Sequence, residues 1–121
     1  MVKQFEKRTN TLVIHLGGEI DQYATNEIKG KIDIEIETTK KKNIVINLDK
    51  VDFMDSSGIG LIVGRYKLSK SMGHSFSVCG GNPSIRKIVQ LSGIVRVVPM
   101  FENVTEAEEF FKKNIERIES K

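Results

Sequence analysis

The chain has 121 residues, 39% apolar and 29% charged, with 19 basic residues against 16 acidic. That is enough chain for one hydrophobic core, and residues 1–121 are expected to form a single domain. The near-balanced charge, a densest basic run (Lys40-Lys41-Lys42) without an aromatic residue, and a single cysteine argue against a nucleic-acid surface, an internal disulfide and a cysteine-cluster metal site.

Residues 2–8 alternate loosely and run into Thr9-Asn10, a tight turn. Leu12, Ile14 and Leu16 alternate with Val13 and His15, which predicts a strand that Gly17-Gly18 should end. Together they predict an N-terminal β-hairpin. After the polar stretch GEIDQY, the residues Ile28, Ile32 and Ile36 recur at helical spacing from Ala24 onward, with Gly30 weakening that helix a little. Lys40 to Asn43 is the following loop. Ile44-Val45-Ile46 reads as a short strand buried on both faces, and Asp49 to Asp55 as the connection beyond it.

From Ile59 the residues Ile59, Ile62, Val63 and Tyr66 mark a helix stripe, and Gly73 its end. Phe76 to Cys79 is another strand, in which Cys79 reads as a small buried hydrophobe. Asn82 and Pro83 start a third helix with Ile85, Ile88 and Val89 on its buried side, ended by Gly93. Val95 to Val98 suggests a short last strand before Pro99. Thr105-Glu106-Ala107-Glu108 matches a capping box, and Phe111, Ile115 and Ile118 give the final helix one apolar side.

Strands alternating with helices imply an α/β fold with a mainly parallel or mixed sheet and right-handed crossovers. Partners of such sheets meet the loops at the C-terminal ends of the strands. The segment DSSGIG, Asp55 to Gly60, stands at such a junction. The opening MVKQFEKRT lacks the apolar core of a signal peptide, and no apolar run approaches the ~18–20 residues that cross a bilayer. A reducing, cytoplasmic setting without membrane contact is therefore expected.

DSSGIG invites several functional readings. Gly58, Gly60 and Gly64 do not form the dinucleotide fingerprint, and Asp49, Asp52 and Asp55 would repel a pyrophosphate. Gly60 and Gly64, four residues apart, read better as close packing of a helix backbone. A serine hydrolase lacks its G-x-S-x-G elbow, and the two histidines, His15 and His74, stand mid-strand and at a helix end. Asp49, Asp52 and Asp55 could hold Mg²⁺ for a small phosphotransferase or hydrolase, although capping of turns and helix starts accounts for them more simply.

A plain helix cap explains part of the segment. It leaves Gly58 and Gly60 over, since glycine costs roughly 0.8–1 kcal/mol inside a helix. Glycine there opens the backbone to another molecule. Leu61, Leu68 and Met72 form a second apolar line, which either faces a partner or widens the buried face. Finally, a serine at an exposed helix N-terminus is reachable by a kinase. Its phosphate would gain ~0.3–1 kcal/mol from the helix dipole while adding about −1.5 to −2 charges.

The run VDFMDSSGIGLIVGRYK resembles the signature of the bacterial anti-sigma factor antagonists, single-domain members of the STAS family. GEID at Gly18–Asp21, IVINL at Ile44–Leu48 and LSGI at Leu91–Ile94 match in the same order, and GRYK with the double serine looks most like the sporulation stage II branch. The resemblance implies a small mixed β-sheet of four to five strands with an N-terminal hairpin, flanked by about four helices. It also implies a regulator and not an enzyme, with no cofactor of its own.

Such proteins bind an anti-sigma factor that is also a serine kinase, which carries the ADP or ATP, and so release a sigma factor. The kinase phosphorylates the serine after the motif aspartate, here Ser56, and a phosphatase restores it. The resemblance implies partner contacts at Asp21, Asp55, Ser57, Gly58, Gly60, Leu61 and Arg65. A STAS module of a stress-signalling pathway is the alternative within the family.

Overall fold

The structure, a computed structural model, describes residues 1–119. Strand β1 (Val2–Lys7) turns into β2 (Thr11–Ile20), which is followed by helix α1 (Gln22–Thr38). Strand β3 (Asn43–Met54), helix α2 (Ser56–Ser71), strand β4 (Ser75–Cys79) and helix α3 (Pro83–Leu91) come next. A 3₁₀ turn (Ile94–Arg96), strand β5 (Met100–Phe101) and helix α4 (Val104–Glu119) complete the order. The five strands lie in chain order, β1 antiparallel to β2 and all later pairs parallel. This is the mixed α/β sheet with an N-terminal hairpin that the element pattern predicts.

Side-chain alternation divides the core. Leu12, Ile14, Leu16, Ile44 and Ile46 point to one face, where they pack with Ile28, Ile32 and Ile36 of α1 and Leu61 and Ile62 of α2. Val45 and Cys79 form a separate cluster with Ala107 of α4, joined by Phe101 and Val104. Both sides of β3 are thus covered, as its unbroken β-branched run requires.

Two boundaries differ from the sequence reading, and they differ together. Gly17-Gly18 do not end β2, and Asp49 to Asp55 are not a loop. Instead β2 runs to Ile20 and β3 to Met54, paired as Gly17 with Lys50, Gly18 with Val51, Glu19 with Phe53 and Ile20 with Met54. Register shifts in this extension let the polar residues in. Gly18 takes φ +74°, and a Cβ at Gly17 would stand 2.6 Å from Lys3 Cε. The glycines allow the bend; each strand supplies the backbone partners that the other needs.

Other departures are local. In α2 the buried residues are Gly58, Leu61, Ile62 and Ser69, whereas Ile59, Val63 and Tyr66 are only partly covered. Apolar periodicity misses glycine and serine, which are buried here because small residues bring the helix close. Val95 to Val98 is not a strand: Gly93 at φ +81° leads into the 3₁₀ turn, and the Val97 and Val98 N–H groups both donate to the Ile94 carbonyl. Chain at the edge of the sheet resumes only at Met100.

The cap of α4 lies two residues before the expected box. Asn103 Oδ1 accepts from the Glu106 N–H at 2.9 Å, and Glu106 Oε1 accepts from the Glu102 N–H at 3.1 Å. Phe111 is buried but Ile115 is exposed, and the Ile118 side chain lies outside the described residues.

Cys79 is fully buried. Burial first, and the Asp49 charge second, push its thiol up to about 12. Alkylation at pH 8 is therefore expected to proceed only through unfolded molecules, which a mass-spectrometric time course with and without denaturant would show. Because the folded state keeps a proton that the unfolded thiol releases near its ordinary value of 9.0, this group makes stability fall as pH rises from about 9 towards 12.

Candidate functional site

The register of β2 and β3 builds the site. Ile20 and Met54 are paired, and each is followed by an aspartate that starts a helix. Asp21 Oδ1 accepts from the Ala24 N–H at 2.9 Å and caps α1. Asp55 Oδ1 accepts from the Ser57 N–H at 2.8 Å and caps α2. Both caps have extended backbone, the conformation of an N-cap residue. Two helix N-termini, each with unpaired backbone N–H groups, therefore stand side by side at the C-terminal edge of the parallel strands.

A polar groove of about 440 Å³ runs between the two helices. Gln22, Asn26 and Lys29 line it from α1; Ser56, Gly60 and Arg65 line it from α2. Ser56 is the first residue of α2, is exposed, and its hydroxyl has no hydrogen-bond partner among the described residues. Ser57 is half-buried and its Oγ donates to Gln22 Oε1 at 3.0 Å, tying the two helix starts together. Gln22 was not singled out by the sequence. It follows Asp21 as Ser56 follows Asp55, and strand pairing alone makes that parallel visible.

The remaining candidates separate into surface and support. Gly60 is exposed, and nothing lies within 4 Å of where its Cβ would be. Gly64 is equally unobstructed, so close backbone packing explains neither glycine. Gly58 is buried, and a Cβ there would overlap the Met54 side chain, with Sδ at 2.6 Å. The close approach at Gly58 is therefore internal. Leu61 is 2% exposed and belongs to the core. It offers a partner no free apolar surface, and the line Leu61, Leu68, Met72 is split, with only Met72 well exposed.

Arg65 Nε lies 2.7 Å from Asp33 Oδ1 of α1. The N–H is not aligned for a hydrogen bond, so the contact is a charge pair at the far end of the groove.

The acidic cluster is not a cluster in space. Asp49 and Asp55 are six residues apart on extended chain, roughly 20 Å at ~3.3 Å per residue. Asp49 Oδ1 accepts from the Gly81 N–H at 3.0 Å and ties β3 to the turn before α3, while Asp55 is a helix cap. Among the described residues no three His, Cys, Asp or Glu side chains gather as metal ligands. The Mg²⁺ reading loses its geometric basis.

Nor does a triad assemble. His15 pairs with Glu6 Oε1 at 2.8 Å and Asn47 Nδ2 at 3.0 Å, and His74 packs on the Ile36 carbonyl at 3.3 Å, beyond the C-terminal end of α2. No helix among the described residues is long and apolar enough to cross a membrane.

Comparison with known proteins agrees with this architecture. The STAS domain family model matches residues 3–107. An anti-sigma F factor antagonist of Paenibacillus polymyxa is 33% identical over 104 residues, covering 86% of this chain and 89% of its own. The unphosphorylated anti-sigma factor antagonist SpoIIAA superposes with a TM-score of 0.76 at 32% identity, covering 91% of this chain and 96% of its own. The phosphorylated form of the Bacillus cell fate determinant SpoIIAA superposes with a TM-score of 0.67 at 33% identity, covering 89% and 97%. With the motif, the paired helix caps and the sheet order all in place, the chain belongs to the STAS domain family.

Proposed function

We propose that this chain is an anti-sigma factor antagonist. Unphosphorylated, it binds a serine-kinase anti-sigma factor and so releases a sigma factor; phosphorylation of Ser56 ends that binding. One observation carries the reading: Ser56 stands exposed on the first turn of α2, beside the start of α1 and at the mouth of the groove between them.

A hydroxyl in that position can enter another protein's active site without disturbing the fold. The nucleotide belongs to the partner, and a phosphatase returns the chain to its binding form. Asp21, Asp55, Ser57, Gly60 and Arg65 form the docking face. Gly58 and Leu61 hold α2 in place beneath it. The relatives named for sigma F support a sporulation-type pathway over a stress-signalling one.

The test is to incubate the chain with its anti-sigma kinase and ATP and to map the phosphate by peptide fragmentation. Phosphate on Ser56 alone, absent from Ser56→Ala, is the expected result. Phosphate on Ser57 or Ser84 in the wild type would overturn the site.

A further inference from the structure

Two serines stand side by side after Asp55, and their surroundings differ. The Ser56 hydroxyl is exposed and unengaged. Ser57 has its N–H in the Asp55 cap at 2.8 Å and its Oγ–H on Gln22 Oε1 at 3.0 Å. Gln22 is held in turn: its Nε2 donates to Asn26 Oδ1, one helical turn on, at 3.1 Å. With the amide nitrogen committed to Asn26, the amide oxygen faces Ser57.

We infer that Gln22 selects between the two serines, holding the Ser57 hydroxyl against α1 so that Ser56 is the acceptor. This rests on the reading of Ser56 as the phosphorylated residue. In transfer from ATP, a serine Oγ forms a bond to the γ-phosphorus and the bond to the β–γ bridging oxygen breaks. ADP leaves, and the hydroxyl proton passes to a base on the kinase.

Ser57 is badly placed for each part of that step. Its proton is already given to Gln22 Oε1, and that bond holds its oxygen against α1. A phosphoryl group there would set its oxygens against Gln22 Oε1, acceptor against acceptor. Ser56, turned about 100° around the helix, meets neither obstacle. Gln22 touches no reacting atom and is a positioning residue. One neutral hydrogen bond of this kind corresponds to about a fivefold preference, and the clash of acceptors adds to it.

The experiment uses the full chain, its anti-sigma kinase and ATP, with phosphoserine at each position quantified by mass spectrometry. Wild type should carry phosphate on Ser56, and Ser56→Ala should take almost none. Gln22→Ala in the Ser56→Ala background should be phosphorylated on Ser57 at least about fivefold faster than Ser56→Ala alone. Gln22→Glu in that background keeps the acceptor oxygen and should stay as slow as Ser56→Ala.

Thermal unfolding and kinase affinity, measured alongside, separate loss of fold or docking from loss of an acceptor. A folded, kinase-binding Gln22→Ala, Ser56→Ala chain that is as inert as Ser56→Ala overturns the role of Gln22. So does a Gln22→Glu chain that behaves like Gln22→Ala. Wild-type phosphate lying elsewhere than Ser56 overturns instead the reading on which the inference stands.

Discussion

Ser56→Asp is expected to fold as the wild type does and to bind the ADP-loaded anti-sigma kinase at least about 100-fold more weakly. The fold should survive because Ser56 is exposed at the first position of α2, where a negative charge is favoured by the helix dipole by ~0.3–1 kcal/mol. Binding should not survive, because the new charge would be brought into the proposed docking face, which already carries Asp55 and Asp21. An unpaired or like-charged contact there costs several kcal/mol, and a 100-fold loss corresponds to only about 2.7 kcal/mol. Thermal unfolding should place the variant within a few degrees of the wild type, and titration calorimetry should show the lost affinity. Wild-type affinity in a well-folded Ser56→Asp chain would sink the charge-switch account.

The second large effect concerns the support beneath the site. Gly58→Ala would gain about 0.8–1 kcal/mol in helix propensity. Its new methyl, however, would fall on the Met54 side chain, which is 2% exposed and has little room to retreat. Overpacking of this kind costs roughly 1–3 kcal/mol, so the net expectation is a loss of up to about 2 kcal/mol.

Met54→Ala alone should be destabilising by ~2–5 kcal/mol through the cavity it leaves. In that background Gly58→Ala should turn neutral or stabilising, since the clash is gone and the propensity gain remains. Denaturant titration of the four chains measures the coupling. If Gly58→Ala has the same effect in both backgrounds, Met54 is not the reason for a glycine here.

The same residues show how far a sequence can be read. The alternation of Leu12, Ile14 and Leu16, the helical spacing of Ile28, Ile32 and Ile36, and the Asn82-Pro83 start were legible because they are local. Each follows from backbone geometry and the position of apolar side chains. The extended ends of β2 and β3 were not legible. Gly17 to Ile20 opens on two glycines, and Lys50 to Met54 is interrupted by Lys50 and Asp52, so alone they resemble loops. They are strands only because each satisfies the other's backbone groups across 32 or more residues of chain.

Gly58 and Ser69 escaped for a related reason. Small residues carry no apolar signal, yet they are buried wherever one element must approach another closely. Leu61 is a different case. The second apolar line left open whether it faces a partner or widens the buried face, and the rotation of α2 puts Leu61 in the core.

The order of the main elements, the helix-start chemistry of Asp55-Ser56-Ser57 and, through resemblance, the family were all readable along the chain. These depend on residue type and short spacing, which a chain carries whether or not it is folded. The site as an object in space exists only in the folded chain. The register of Ile20 against Met54 sets Asp21 beside Asp55, and so brings Gln22 within 3.0 Å of Ser57. The same register carries Asp49 away from Asp55 along an extended strand. Strand pairing couples residues far apart in sequence through backbone hydrogen bonds, and no local pattern encodes that register.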